Sequence, residues 1–307
     1  MEFVLLAEQT LNGFQLGILL FLLASGLTLV FGVMDFVNLA HGSFYMLGAF
    51  LFAMIFSLTG SFLIGVAGGL IITTLVGVLT EVLGLRTLYT RNHLDQVLAT
   101  FGLILFFNQL VQVIWPLDGL SVPMPEYLDG TLNLGFGINY PVYRIMIIVV
   151  GIIVAILLYI LVTQTQIGML LRAGASNRRM LETLGVDVRR LFTYVFGLGA
   201  LLAGLAGALR APIISATSGM GEQILILAFV VVVIGGIGSI KGAFIASILT
   251  GMIDTLGRSF LDIFLLVLFP PNAAEAAAPA LSSMLIYILM AAVLFYRPQG
   301  LFPPKHR

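Results

Sequence analysis

The sequence contains no cysteine, which excludes disulfides, thiol nucleophiles and cysteine-ligated metals. Charge is nearly as scarce. Only 9% of the 307 residues are Asp, Glu, Lys or Arg, against roughly 25% in an average soluble domain. So few charges cannot cover a water-facing surface, and lipid is therefore the solvent for much of the chain. The formal net charge is +0, which argues against a nucleic-acid partner. The three histidines, His41, His93 and His306, are scattered. No H-E-x-x-H, G-x-S-x-G or G-x-x-x-x-G-K-S/T occurs. No metal site, nucleophile–base pair or phosphate loop can be proposed, and no cofactor is expected in this chain. GGIGSIKGA (Gly235 to Ala243) is Gly-rich with a lysine, but has neither the phosphate-loop spacing nor a hydroxyl after the lysine. The acidic start, MEFVLLAEQT, lacks the basic region of a cleaved signal, so the first apolar stretch is expected to stay in the mature protein.

What is abundant is apolar: 60% of residues are hydrophobic and the mean hydropathy is +1.13. A membrane helix needs about 20 mostly apolar residues. Such stretches run near 14–33, 43–58, 62–83, 96–115, 142–163, 191–210, 223–237, 242–260 and 281–296. Phe36 to Thr80 contains no Asp, Glu, Lys or Arg, which is too long for one crossing and suits two, with a turn at Ser57–Ser61. The stretch 223–237 is short, and Gly235, Gly236 and Gly238 at its end predict a broken or re-entrant helix. The expected fold is an all-α polytopic membrane protein with about eight to ten membrane helices, broken or re-entrant ones included.

Basic residues set orientation. Arg86 and Arg91 share one short loop, and Arg172, Arg178, Arg179, Arg189 and Arg190 share another. Arg297, Lys305 and Arg307 lie in the tail, whereas loop 116–140 holds Asp118, Glu126 and Asp129 and no Lys or Arg. Loops 84–94 and 164–190 and the C-terminus are expected in the cytoplasm, with loop 116–140 and the Pro/Ala-rich segment 270–280 outside. Nine crossings would put the N-terminus outside.

Between two apolar runs sits DFVNLAHGSFYMLGAF (Asp35 to Phe50). Polar groups in lipid are expensive, and irregular backbone at membrane depth survives only inside protein or beside a wet cavity. Asn38 and His41 can bond backbone freed at a helix break or face a path, and the two roles are compatible. Asp35 suits the membrane–water boundary. A weak internal echo aligns His41-Gly42-Ser43-Phe44 with Lys241-Gly242-Ala243-Phe244; internal repeats with corresponding broken helices are a pointer to a transport path. Asp254 and Arg258, four apart on one helical face, are expected to pair.

The stretch TQTQIGMLLRAGASNRRMLETLGVDVRR predicts a short helix over 178–184. Asn177 caps its start and Gly185 stands just beyond its end. Met180, Leu181 and Leu184 share a face. A capped amphipathic helix between two spans suits docking on a cytoplasmic partner. The next span carries Gly197, Gly199, Gly204 and Gly207, which allow close helix approach.

Here the chain resembles the permease subunits of branched-chain amino acid ABC importers. The motifs are Gly168, Arg172-Ala173, Ala175, Asn177 and Leu184-Gly185; Asn38-x-Ala40-His41-Gly42 with Gly48-Ala49; GGIGSIKGAFIAS; and the closing RPQGLF. The resemblance runs from about residue 14 to 302, and the order of the motifs matches the family's. Lys241 stands where the family varies. The resemblance implies a single transmembrane permease domain over 1–307 with a cytoplasmic coupling segment at about 164–190. It implies Gly168, Arg172, Ala173, Ala175, Asn177, Glu182 and Gly185 as coupling residues. Asn38, His41, Gly42, Asp35, Gly235, Gly236 and Gly238 are the candidates for the path or its helix breaks. The implied partners are a second permease, two ATP-binding subunits, an extracytoplasmic binding protein and the lipid of a bacterial inner membrane. Hydrolysis of ATP would lie on the partners. The alternative is a self-sufficient secondary transporter or channel with Asp35 and His41 as coupling residues. A membrane enzyme fails for want of clustered acids, bases or metal ligands.

Overall fold

The computed structural model describes residues 2–303 other than 116, 136 and 269. Lys305, His306 and Arg307 lie outside the described residues, so the tail is represented by Arg297. The helices are α1 (Glu2–Met34), α2 (His41–Thr59), α3 (Phe62–Leu83), α4 (His93–Ile114), α5 (Val142–Gln164), α6 (Gln166–Ser176), α7 (Arg178–Thr183), α8 (Val188–Arg210), α9 (Met220–Gly235), α10 (Ile240–Leu268) and α11 (Pro271–Tyr296). A small antiparallel hairpin, β1 (Thr131–Asn133) with β2 (Asn139–Pro141), sits between α4 and α5. Among the described residues eight helices are long and apolar enough to cross a membrane. The expected all-α polytopic architecture is what is found. α9, with 16 residues, is about 24 Å long and falls short of a hydrocarbon layer about 30 Å thick.

α1, α2 and α8 form the buried centre, while α3, α4, α5 and α11 are largely exposed. Without a water-driven force between helices in lipid, close backbone approach is what holds such a centre together. The sequence supplies it with glycine: a Cβ on Gly48 of α2 would strike the backbone of Gly204 on α8, and one on Gly26 of α1 would lie 2.9 Å from the Gly199 carbonyl oxygen. α10 runs antiparallel to α1, with Gly13 against Met252, Gly17 against Ile248 and Phe21 edge-on to Phe244 at 5.1 Å.

The helix ends sort into two sets. At one end the close of α1, the loop after α3, α6, α7, the α9–α10 turn and the close of α11 meet around two cavities. These include the arginine-rich loops, so this is the basic end. At the far end Leu120 bridges Ala216, Tyr143 Oη donates to the Leu209 carbonyl at 2.8 Å, and Arg144 donates to Asn12 Oδ1. The start of α1 and Arg297 thus stand at opposite ends, as nine traverses require.

Several expectations are corrected. The last helix starts ten residues before the expected 281: α11 begins at Pro271 and runs through Pro279. Proline suits the first helical turn, and the alanines that follow are the best helix formers. The segment 164–190, expected to be the coupling segment, holds a further helix, α6. α1 begins at Glu2 rather than near residue 14, and α9 at Met220 rather than 223. Asp254 and Arg258 do pair, at 2.8 Å.

Candidate functional site

α1 ends where Asp35 takes φ +49, a value unfavourable for a residue with a side chain. Its N–H closes the last turn on the Phe31 carbonyl at 3.1 Å. Residues 35–38 then run without regular structure, followed by a turn at 39–40, and the chain turns back into the protein. Phe36 is buried edge-on to Tyr89 at 5.5 Å, and Val37 N–H donates to Gln96 Oε1 at 3.1 Å. Asn38 is completely buried, and neither its amide oxygen nor its nitrogen has a partner among the described residues. His41 Nε2 donates to the Leu23 carbonyl at 3.1 Å; a carbonyl only accepts, so the proton sits on Nε2.

That bond sets a depth. Along α1, Leu23 lies eleven residues after Asn12, at the far end, and eleven before Met34, at the basic end, about 16 Å each way. α2 therefore starts inside the membrane layer. Gly42, its second residue, packs against Gly221 of α9 so closely that a Cβ on either would strike the other's carbonyl. α9 thus also begins within the layer, reached from the far end through 211–219, and exits at the basic end. There Gly235 packs on Gly242, Gly236 has φ +101, and Gly238, with φ +83, touches Gly32. The two echoed glycines, Gly42 and Gly242, thus both rest on α9, at opposite ends of it.

The predicted path residues divide accordingly. Asn38, His41 and Gly42 lie together in the interior. Gly235, Gly236 and Gly238 lie at the basic end. Asp35 is on the surface, its side chain 83% exposed and 4.0 Å from His93. Asp35 and Gly238 share a cavity of about 930 Å³ with Arg172 and Ala175 of α6. The cavity joins the mouth of the break to the segment 164–190, where the coupling residues are expected.

In that segment Thr165 Oγ1 accepts from Gly168 N–H at 3.1 Å and caps α6. Gly168 lies against the Leu161 and Val162 carbonyls, where a Cβ has no room, and Arg172 donates to the Val162 carbonyl. Ala173 is half-buried and Ala175 exposed. Asn177 Oδ1 accepts from Met180 N–H at 3.0 Å, capping α7. Gly185, with φ +82, closes it by donating to the Glu182 carbonyl at 3.1 Å, and Val186 N–H donates to the Leu181 carbonyl at 3.1 Å. Arg178 pairs with Glu182 at 3.3 Å. The expected apolar face is split: Leu181 is buried, whereas Met180 and Leu184 are 57% and 68% exposed.

Two clusters escaped the sequence reading. Glu81 is buried at the end of α3. Arg86 Nε and Nη2 donate to it at 3.0 and 3.1 Å, Tyr89 Oη at 2.8 Å and Thr193 Oγ1 at 2.9 Å. Burial, then the bond to Glu81, pushes the Tyr89 phenol well above the usual tyrosine range. Tyr89 also meets Phe192 edge-on at 5.4 Å, and the Arg178 guanidinium lies 4.9 Å over that ring. Arg178, Phe192, Tyr89 and Phe36 thus form a continuous line from α7 to the helix break. The second cluster lies towards the far end: Asn108 Nδ2 donates to Glu222 Oε1, and Gln112 Nε2 to Ser218 Oγ at 2.9 Å. Placing the start of the span at 223 hid Glu222 by one residue. Among the described residues no group of three or more His, Cys, Asp or Glu could hold a metal.

The chain is 27% identical over 308 residues to the high-affinity branched-chain amino acid transport system permease protein BraD of Pseudomonas aeruginosa, covering 96% of this chain and 94% of that one. It is 28% identical over 281 residues to the corresponding protein LivH of Escherichia coli, covering 85% and 89%. A more distant likeness, 25% over 244 residues, is to the ribose import permease protein RbsC of Escherichia coli, covering 76% and 72%. No solved structure matches. Residues 9–294 match the profile described as branched-chain amino acid transport system / permease component, and the chain belongs to that family.

Proposed function

We propose that this chain is one of two permease subunits of an ATP-driven importer. The importer moves branched-chain, or related small and mainly hydrophobic, amino acids from an extracytoplasmic binding protein into the cytoplasm. The basic end is cytoplasmic, in a bacterial inner membrane, following the arginine bias. A second permease, identical or homologous, completes the path, and of the two ATP-binding subunits one docks on α6 and α7 of this chain.

The observation that carries the coupling role is α7. It is capped at both ends by its own residues and projects Met180 and Leu184 from an arginine-rich loop. Exposed apolar side chains on a fixed helix suit a partner's groove. The names of BraD and LivH supply the substrate class. The secondary-transporter reading needs Asp35 and His41 to act together. Asp35 instead lies exposed at the basic end, while His41 is spent on the Leu23 carbonyl.

The test is reconstitution in proteoliposomes with the partner subunits and binding protein. Leucine uptake is expected only with ATP and loaded binding protein together. Uptake that ignores either component would defeat the proposal.

A further inference from the structure

The outer walls of this chain are hydrocarbon-like. α3 presents Leu63, Ile71 and Leu75 outward, and α5 presents Ile153, Ile156 and Leu157, as a surface against lipid requires. α4 and α9 also expose Phe101, Leu105 and Ile226, but polar side chains interrupt that surface. Glu222 and Gln223 of α9 are exposed there, as is Gln109 of α4. The depth follows from two contacts. Glu222 accepts from Asn108, which lies six residues before the end of α4, about 9 Å along that helix. Its neighbour Gly221 rests on Gly42, beside the His41 that bonds the midpoint of α1.

A carboxylate at that depth is costly against lipid, and such groups face a bundle interior, a protein partner or a wet cavity. Glu222 is exposed on the chain, so its own bundle does not shelter it. On the importer reading above, on which this inference rests, a carboxylate exposed at that depth is assigned to the path between the two permeases. Glu222 is also built to meet a cation. It sits in the first turn of α9, where the positive end of the helix dipole favours a charged carboxylate. Asn108 holds one oxygen, which fixes the carboxylate's orientation and leaves it capacity to accept from an ammonium.

We propose that Glu222 is a substrate-contacting residue whose carboxylate receives the ammonium group of an amino acid passing along the α4–α9 face, with Gln223 and Gln109 as its polar surround. The sequence motifs point elsewhere, to the α1–α2 break; this assignment moves the charge recognition to the opposite lip of the same mid-membrane contact.

The assembled importer, with its partner subunits and binding protein, serves for the test. Glu222→Gln keeps the shape and the bond to Asn108 but removes the charge, and should slow leucine uptake about tenfold, the scale of one charge-assisted hydrogen bond. Glu222→Asp should retain most of the uptake. The chain has no cysteine, so Glu222→Cys and Gln223→Cys can be probed with a membrane-impermeant thiol reagent. Both should label in the assembled importer, and Leu75→Cys should not. Unimpaired uptake by Glu222→Gln, an equal loss in Glu222→Asp, or no labelling at both 222 and 223 would overturn the assignment. Failure of the unmodified importer to take up leucine would instead defeat the importer reading, while the labelling pattern would still report whether this face is wet.

Discussion

Asn38 and His41 have the same burial and opposite energetics. Asn38 has no partner among the described residues for either amide atom, and such a group costs about 1–3 kcal/mol. Leucine at 38 removes that cost but is larger, and overpacking takes back part of the gain. Asn38→Leu is therefore expected to leave the melting temperature unchanged or higher while slowing uptake. His41→Leu loses a bond to Leu23, and should cost about 1 kcal/mol of stability as well as slowing uptake. Melting curves and uptake on the same preparations check both. Unfolding of Asn38→Leu would mean the amide is structural. The sequence showed that a polar break lies between two apolar runs, because such residues are conspicuous there. It could not show that Asp35 stays outside while Asn38, three residues on, is sealed in, since the turn back into the layer is held by Tyr89 and Gln96, more than fifty residues away.

At the scale of one helix, α7 was readable because its determinants are local. Asn177, Glu182 and Gly185 sit within nine residues and bond one another's turns. α6 was not readable, because hydropathy fades through Thr163–Gln166 without a breaker and only the Thr165 cap marks the boundary. The beginning of α11 was misread because prolines signal loops unless one falls in a first turn. For α7 the expectation is sharp. Gly185→Val places a β-branched residue at φ +82, a strain of about 1–3 kcal/mol confined to an exposed turn. Glu182→Lys sets a like charge against Arg178, and surface pairs of that kind are worth less than about 1 kcal/mol. Neither change is large enough to unfold the protein, yet both should abolish uptake by spoiling the docking surface. Membrane-fraction immunoblots and uptake assays separate the two effects, and normal uptake in both variants would remove α7 from the coupling role.

For the whole molecule, the nine apolar stretches and the sorting of the arginine loops to one end were legible, since both follow from composition along the chain. The interior starts of α2 and α9 were not, because they are set by Gly42 meeting Gly221 across nearly two hundred residues. The same whole-chain view predicts that this subunit cannot work alone. No segment has the spacing and hydroxyl of a phosphate loop, and the Asp35–His41 pair that could couple an ion gradient is not assembled. In liposomes without partners it should neither hydrolyse ATP nor accumulate leucine under an imposed proton or sodium gradient. Accumulation under either gradient would restore the secondary-transporter reading.

The glycine seams between helices, Gly48 on Gly204, Gly42 on Gly221 and Gly26 on Gly199, have a thermal consequence. A core in water is held by expelled water, and that force weakens on cooling because burial carries a large heat-capacity change. Helices that meet within a bilayer exchange lipid contacts for protein contacts and strip little water. Their seams are held by dispersion and by weak Cα–H to carbonyl bonds. The heat-capacity step for separating them is therefore small, and the stability curve of the helix bundle lacks the dome seen for soluble domains. Cold does not loosen this centre; heating and the fluidity of the surrounding lipid do.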